Sequence, residues 1–121
     1  MTDLNVLVAE KVMGWHRESP SVWTDSTGEL KDHISTWNPT TNILRAIEVQ
    51  AEMHRRGYWM WLTSPYGTGE PDDLWTAGFT VHGFTGWNER PHYVGRADNP
   101  ALAICRAALR AAAAGLHVAV S

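Results

Sequence analysis

The chain has 121 residues and a formal net charge of −3 with histidine counted as neutral. This length predicts one domain, residues 1–121, that can bury a hydrophobic core without disulfides or a structural metal. The negative charge argues against binding of nucleic acid or of an anionic membrane surface. The single cysteine, Cys105, has no partner for a disulfide within the chain, and no run reaches the ~18 apolar residues of a membrane span. We therefore expect a cytoplasmic protein.

The amino-terminal stretch has helical periodicity. Its apolar residues recur at steps of three and four: Leu4, Leu7, Val8, Val12 and Trp15. This spacing predicts a first helix from about Asp3 to Met13. Thr2 is expected to cap its start, and Gly14 is expected to follow its end.

Residues 16–37 are the least regular part of the chain. A turn sequence at residues 25–28, Asp-Ser-Thr-Gly, separates two short stretches that could be extended. This pattern is typical of a small hairpin or an ordered loop. Trp23 and Trp37 are expected to fix the segment to the rest of the fold.

The second helix is expected to open at Asn38 to Thr41, where cap residues and a proline stand in favoured places, and to end at Gly57. Its apolar residues cover a wide arc: Ile43, Leu44, Ala46, Ile47, Val49, Ala51 and Met53. So wide an arc predicts contacts on two sides, for example with a sheet and another helix.

From Tyr58 onwards the period of the pattern changes to two. Alternation predicts strands at Tyr58–Thr63, at Leu74–His82 and from about His92 to Arg96, separated by two turn-rich segments. Two consecutive hairpins make a three-stranded antiparallel meander. Both faces of the first strand are apolar, so the sequence leaves open which face is buried.

A last helix is predicted from Ala97 to Gly115, with Asn99 as a cap and Pro100 in the first turn. Alanine dominates it, so a sheet or a second helix can approach it closely. The order of elements predicts an α+β fold, in which the meander packs with three helices as an alpha-beta-alpha sandwich, beside a small N-terminal hairpin or ordered loop.

Four stretches in this order resemble one known family: LNVLVAEKVMGW, VWTDSTGE, WNPTTNI and RADNPALAICRAALRA. They are similar to the phage ABA-sandwich domain family, small proteins encoded by phages and prophages and named for alpha-beta-alpha layering. The likeness covers nearly the whole chain and implies that fold, together with a place in the host-cell cytoplasm. The shared motifs concern packing and capping, so the likeness implies no catalytic residue.

The chain has seven Trp against two Phe and three Tyr. We expect three or four of them to be structural and the others to line a surface, a groove or a subunit interface. Trp59 and Trp61 share one face of a predicted strand, and Trp87 stands at a polar hairpin tip. Indoles can stack a nucleobase while an arginine binds phosphate. The predicted ligand-binding residues are Trp59, Trp61, Trp87, Arg90, His92 and Arg96.

Each indole also has a plainer interpretation. Trp59 and Trp61 can be core residues beneath a helix, and Trp87 can be a surface contact or part of a subunit interface. For Trp59 and Trp61 we favour the core interpretation, whereas for Trp87 the sequence does not decide between the alternatives.

The sequence offers a weaker case for an enzyme. It has no phosphate-binding glycine loop, nucleophile elbow or metal-site motif. If Trp87 is at the centre of the second hairpin, His82 and His92 become cross-strand neighbours and could act as an acid–base pair or share a metal. Asp72 and Asp73 are adjacent in a turn and are candidate partners for such chemistry.

Three functions remain open at this point. The favoured one is a non-enzymatic binding protein with no cofactor and no metal, whose partner is a small nucleotide or a host protein, plausibly in counter-defence. The second is a structural homo-oligomer without a ligand. The third is a small hydrolase that uses His82 and His92. A homo-oligomer is expected in the first two cases.

Overall fold

The computed structural model describes residues 3–65, 74–81 and 92–118, except the side chains of residues 18, 19 and 115–118. In chain order the elements are α1 (Leu4–Leu7), a π-helical turn (Val8–Val12), β1 (His16–Ser19), β2 (Val22–Thr24), β3 (Leu30–His33), α2 (Ile43–Arg55), β4 (Tyr58–Thr63), β5 (Trp75–Val81), β6 (His92–Ala97) and α3 (Pro100–Val118). The fold is α+β, with three helices and two three-stranded antiparallel sheets, which confirms the predicted class.

The larger sheet is the predicted meander, with the strand order β4-β5-β6. Its register is continuous along the strands, from Tyr58 paired with Val81 to Thr63 paired with Thr76 in the first hairpin. In the second hairpin it runs from Trp75 paired with Ala97 to Thr80 paired with His92. We call this sheet the main sheet.

The structure decides which face of the main sheet is buried. Ala77, Phe79 and Ala97 belong to the hydrophobic core, and Tyr58 and Met60 pack against it. Helix α3 lies over β5 and β6, while α2 lies over β4 and alongside α3. Both long helices therefore cover the face that carries Tyr58 and Met60.

Helix α3 approaches the sheet closely, as its alanine content predicts. A Cβ atom on Gly95 of β6 would fall 2.5 Å from the carbonyl oxygen of Ala103 and 2.5 Å from the amide nitrogen of Ala107. Only a residue without a side chain fits under this helix backbone. The predicted helix end at Gly115 is wrong, because α3 continues to Val118. A glycine lowers helix stability by about 1 kcal/mol relative to alanine. The packing of α3 against the main sheet and α2 outweighs this cost.

Helix α2 begins later than predicted. Asn42 is its N-cap, with the side-chain oxygen accepting a hydrogen bond from the amide of Leu44 at 3.0 Å. Residues 38–41 form a turn before it. The buried side of α2 is narrower than its apolar arc, since only Ala46, Val49 and Met53 are buried.

The irregular segment forms a second, smaller sheet of β1, β2 and β3. The predicted hairpin corresponds to β2 and β3, and β1 adds a strand that the sequence pattern did not indicate. Trp23 and Trp37 are buried, as expected. The Trp37 indole nitrogen donates to the carbonyl oxygen of Asn5 at 3.0 Å, which ties this region to α1.

Helix α1 is shorter than predicted and continues into the π-helical turn. Its N-cap is Asp3, whose side chain accepts from the amide of Asn5 at 2.8 Å. Thr2, the predicted cap, lies outside the described residues. Gly14 follows the turn with a φ of 74°, the left-handed conformation expected of a residue that ends a helix. No helix in the described ranges is long and apolar enough to cross a membrane.

Candidate functional site

The face of the main sheet turned away from α2 and α3, here called the outer face, gathers most of the predicted binding residues. Directly paired residues of antiparallel strands place their side chains on the same face. The register gives the outer face three rows across the strands: Trp59–Thr80–His92, Trp61–Gly78–Val94 and Thr63–Thr76–Arg96. Four of the six predicted residues therefore share one surface: Trp59, Trp61, His92 and Arg96.

Trp59 and Trp61 form the β4 side of the outer face. Trp59 is 46% exposed, and Trp61 is half-buried. Neither is part of the core cluster beneath the helices, so the interpretation of this pair as core under a helix is wrong. The Trp61 indole lies against β5, because a Cβ atom on Gly78 would fall 2.2 Å from its Cε2 atom. Its N–H is buried, and no described residue accepts a hydrogen bond from it.

The other two strands give the outer face polar and cationic groups. Thr76 and Thr80 of β5 are buried, whereas His92 and Arg96 of β6 are exposed. From the usual strand spacing, the Cα atoms of Trp59 and His92 are roughly 10 Å apart across the sheet. The surface thus runs from indoles on β4, across hydroxyl groups on β5, to an imidazole and a guanidinium on β6.

The structure also has a cleft of about 410 Å³ between the end of the π-helical turn, the small sheet and α2. Its charged lining residues are Asp25, Lys31, Glu48, Glu52 and Arg55. These charges are already paired: Lys31 with Asp25 and Glu29, Glu48 with Arg45, and Glu52 with Arg55 and Arg56. The cleft therefore offers a ligand little uncompensated charge.

Glu52 illustrates this compensation. Burial acts to raise the pKa of Glu52, but hydrogen bonds from Arg55 and Arg56 outweigh it, and the net pKa is lowered. The carboxylate is thus held ionised by neighbours within its own helix and the turn after it. We do not take it for a catalytic acid.

Comparison with known proteins complements this geometry. The family model described as the Phage ABA sandwich domain matches residues 6–109, which is most of the chain. The chain belongs to this family. No curated protein and no solved structure matches it. Membership accounts for the fold of this ABA-sandwich domain and assigns no role to its outer face.

The enzyme-like pairing of histidines fails in this ABA-sandwich domain. His92 is paired across the sheet with Thr80, so its neighbour on β5 is not His82. The pairs of β5 with β6 run from Trp75 with Ala97 to Thr80 with His92. This register is shifted by two residues from the one in which His82 would pair with His92. His82 itself lies outside the described residues, as do Asp72, Asp73, Trp87 and Arg90.

Cys105 is a core residue of the domain and not a reactive thiol. Its side chain is buried in α3, and burial raises the pKa of the thiol to about 12. The thiol therefore stays protonated near neutral pH, and Cys105 serves as a small apolar residue of the core. Within the part of the chain that the structure describes, no group of three or more His, Cys, Asp or Glu residues is arranged to hold a metal ion.

Sequence reasoning missed Gly78 as part of the outer face. The available signal was the sequence Thr76-Ala77-Gly78-Phe79-Thr80, in which small and polar residues alternate with core residues. Opposite two indoles on the neighbouring strand, a glycine leaves room for a ring to lie on the sheet. That pattern is informative only once the strand register is known.

Proposed function

We propose that this domain is a non-enzymatic, phage-encoded binding protein that holds a nucleotide-type ligand on the outer face. The observation that carries the proposal is the exposed indole of Trp59, which shares that face with Arg96 two strands away. The proposal also draws on Trp61, whose ring leans over Gly78 towards β6.

Indoles bind planar bases by stacking, and one base–aromatic stack contributes about 1–3 kcal/mol. Trp61 is held against the backbone of β5 before any ligand binds, so little side-chain entropy is lost on binding. An aromatic ring that is fixed in this way favours a flat ligand over a flexible one.

The cationic side of the outer face suits a phosphate. Arg96 carries a guanidinium that can donate two parallel hydrogen bonds to one phosphate group. From strand geometry, the Cα atoms of Trp61 and Arg96 are roughly 12 Å apart, and the lean of the indole over β5 shortens the gap. A base stacked on the indole and a phosphate at the guanidinium fit within one nucleotide or dinucleotide.

In a phage protein such binding acts stoichiometrically. It lowers the free concentration of a host signalling nucleotide and so counters a defence that depends on that signal. The same surface could instead hold a host protein, and the experiment below distinguishes the two partners.

The test is intrinsic tryptophan fluorescence and thermal shift against a panel of nucleotides that includes cyclic dinucleotides and NAD-derived compounds. Native mass spectra of the same samples report the bound mass. We expect a saturable quench and a raised melting temperature with one compound, and an unchanged ligand mass over time. Trp59→Ala is expected to weaken binding by about 5- to 150-fold, the loss of one stack.

Leu44→Ala is the matched control, because Leu44 is 71% exposed on α2 and remote from the outer face. It should bind like the native chain. No response to any compound would contradict the nucleotide proposal and turn the search to host proteins. A ligand mass that changes with time would favour the hydrolase alternative instead.

A further inference from the structure

The two edge strands of the main sheet, β4 and β6, differ in how far their backbone groups are protected from pairing with a further strand. On β6, Arg106 of α3 donates from Nη1 to the carbonyl oxygen of Arg96 at 2.6 Å, and Arg110 donates to the carbonyl oxygen of Val94. A further strand could pair with these carbonyl groups only by displacing two guanidinium groups. The β6 edge is therefore closed to strand addition.

The β4 edge is different. Its sequence, YWMWLT, contains no charged residue and no proline. Leu62 is 39% exposed on the helix side of the strand, and Trp59 is exposed on the outer face. Among residues 3–65, 74–81 and 92–118, no strand pairs with β4 on the side away from β5. An uncharged apolar edge of this kind is a template for pairing with another strand.

The register shows which backbone groups β4 presents outwards. In antiparallel sheets, the residues of a strand direct their N–H and C=O groups alternately to the two sides. The carbonyl groups of Val94 and Arg96 point away from β5, because the arginines reach them. Counting through the paired residues, the outward groups of β4 belong to Tyr58, Met60 and Leu62.

We infer that β4 pairs antiparallel with β4 of a second copy of this chain, about a twofold axis at Met60. Centred there, all three outward residues form hydrogen-bonded pairs: Met60 with Met60 of the second copy, and Tyr58 with Leu62 in both directions. A twofold axis at Trp59 or at Trp61 would use only two of the three. The Met60 register therefore makes the most backbone hydrogen bonds.

Side chains and charge favour a second copy as the occupant. On the outer face, Trp59 of one copy lies opposite Trp61 of the other, and aromatic cross-strand pairs of this kind stabilise the pairing of strands. Each copy carries a net charge of −3, so two copies meet best where no charged side chain stands. Strand β4 is such a place, whereas β6 carries Arg96.

Helix α2 packs over β4 on the face of the main sheet opposite the outer face. It carries two further exposed apolar residues, Ile43 and Ile47, which are 41% and 50% exposed. The twofold axis at the β4 edge places the two α2 helices on the same side of a continuous six-stranded sheet.

Cysteine cross-linking tests the pairing and its register. In the inferred dimer, the Met60 Cα atoms are about 5.5 Å apart, within the range that a disulfide spans. Met60→Cys is therefore expected to form a disulfide-linked dimer under mild oxidation. Leu62→Cys is the control, because the two Leu62 positions lie four residues apart along the paired strands, too far for a disulfide. The native Cys105 is buried and should not contribute.

Sedimentation of the native chain and of two lysine variants gives an independent test, without nucleotide. The native chain should sediment as a dimer. Leu62→Lys, which places a charge in the paired strand, should sediment as a monomer. Leu30→Lys, at a residue 55% exposed on β3, should remain a dimer. A monomeric native chain would overturn the inference, as would a dimer that cross-links through Leu62→Cys and not through Met60→Cys. Ligand binding is not needed for either readout, so the inference stands or fails apart from the proposed function.

Discussion

The indole of Trp61 rests on the backbone of Gly78, its partner in the neighbouring strand. A Cβ atom at that glycine would fall 2.2 Å from Cε2, 2.3 Å from Cζ2 and 2.6 Å from Nε1 of the indole. These distances are far below van der Waals contact, so any side chain at this position must move the ring. Gly78 and Trp61 therefore act as one unit of the outer face.

Gly78→Ala is expected to displace the Trp61 ring and to lower the free energy of unfolding by about 1–3 kcal/mol, the usual cost of overpacking. Urea unfolding measures the cost. The same substitution made together with Trp61→Phe tests the cause, because a smaller ring leaves room for the new methyl group. An equal cost in both backgrounds would show that the indole is not what the methyl group meets.

Gly95→Ala is expected to cost more than Gly78→Ala, about 3 kcal/mol or above. The new Cβ atom would meet the main chain of α3 at Ala103 and Ala107, and a helix backbone cannot rotate aside as an indole can. The helix must lift from β6, which also strains the bonds from Arg106 and Arg110. Parallel unfolding curves of the two alanine variants rank the costs, and the reverse order would contradict this explanation.

The strands of the main sheet could be predicted because alternation is a local property. Tyr58–Thr63 matches β4, β5 begins one residue later than predicted, and β6 ends one residue later; the predicted end of β5 at His82 lies outside the described residues. The choice of buried face could not be predicted, because Tyr58 and Met60 are no more apolar than Trp59 and Trp61. Small residues on the partner strands decide it, since Ala77 and Gly95 make room for α3 only on one side.

Elements that depend on distant contacts were missed or misplaced. Strand β1 has no apolar alternation, and it is a strand because Arg17 pairs with Trp23 and places its guanidinium 5.2 Å from that ring. The register of the second hairpin is given by the pairs between β5 and β6, and the alternation of the two strands does not fix which residues pair. Alternation within the strands was enough to propose Trp59, Trp61, His92 and Arg96 as ligand-binding residues. The pairing of His92 with His82 required the register between two strands, which the sequence did not give.

The side-chain amide of Asn5 adds to the junction between α1 and the segment before α2. Oδ1 of Asn5 accepts from the backbone amide of Thr40 at 3.0 Å and from its hydroxyl at 2.9 Å. Asn5→Ala removes both bonds and leaves the Thr40 amide in a part-buried position without this acceptor. We expect a loss of about 1–3 kcal/mol in the free energy of unfolding.

Thr41→Ala is the control for this prediction. The Thr41 hydroxyl is exposed and makes a single long bond of 3.4 Å to the Asn38 carbonyl, so its removal should cost less than about 0.5 kcal/mol. A cycle of Asn5→Ala, Thr40→Ala and the double variant should show coupling between the two sites. Additive costs would mean that Asn5 acts through some other contact.

Asp25 organises the turn between β2 and β3 and makes it sensitive to acid. Its Oδ1 accepts from the hydroxyl of Thr27 at 2.6 Å and from the amides of Thr27 and Glu29. The Thr27 hydroxyl is the largest cause that lowers the pKa of Asp25, from 3.8 to about 2. The folded state therefore binds the proton less tightly than the unfolded state.

The stabilisation from the ionised Asp25 is fully present above the unfolded pKa of about 4 and is lost as the pH falls towards 2. The difference in free energy of unfolding between the native chain and Asp25→Asn should consequently shrink between pH 5 and pH 2, because the asparagine does not titrate. Thr27→Val removes the hydroxyl donor, so it should raise the pKa of Asp25 towards its unfolded value. The free energy of unfolding should then change less between pH 5 and pH 2. Urea unfolding across that pH range measures both effects, and a difference that stays constant with pH would contradict the role given to Asp25.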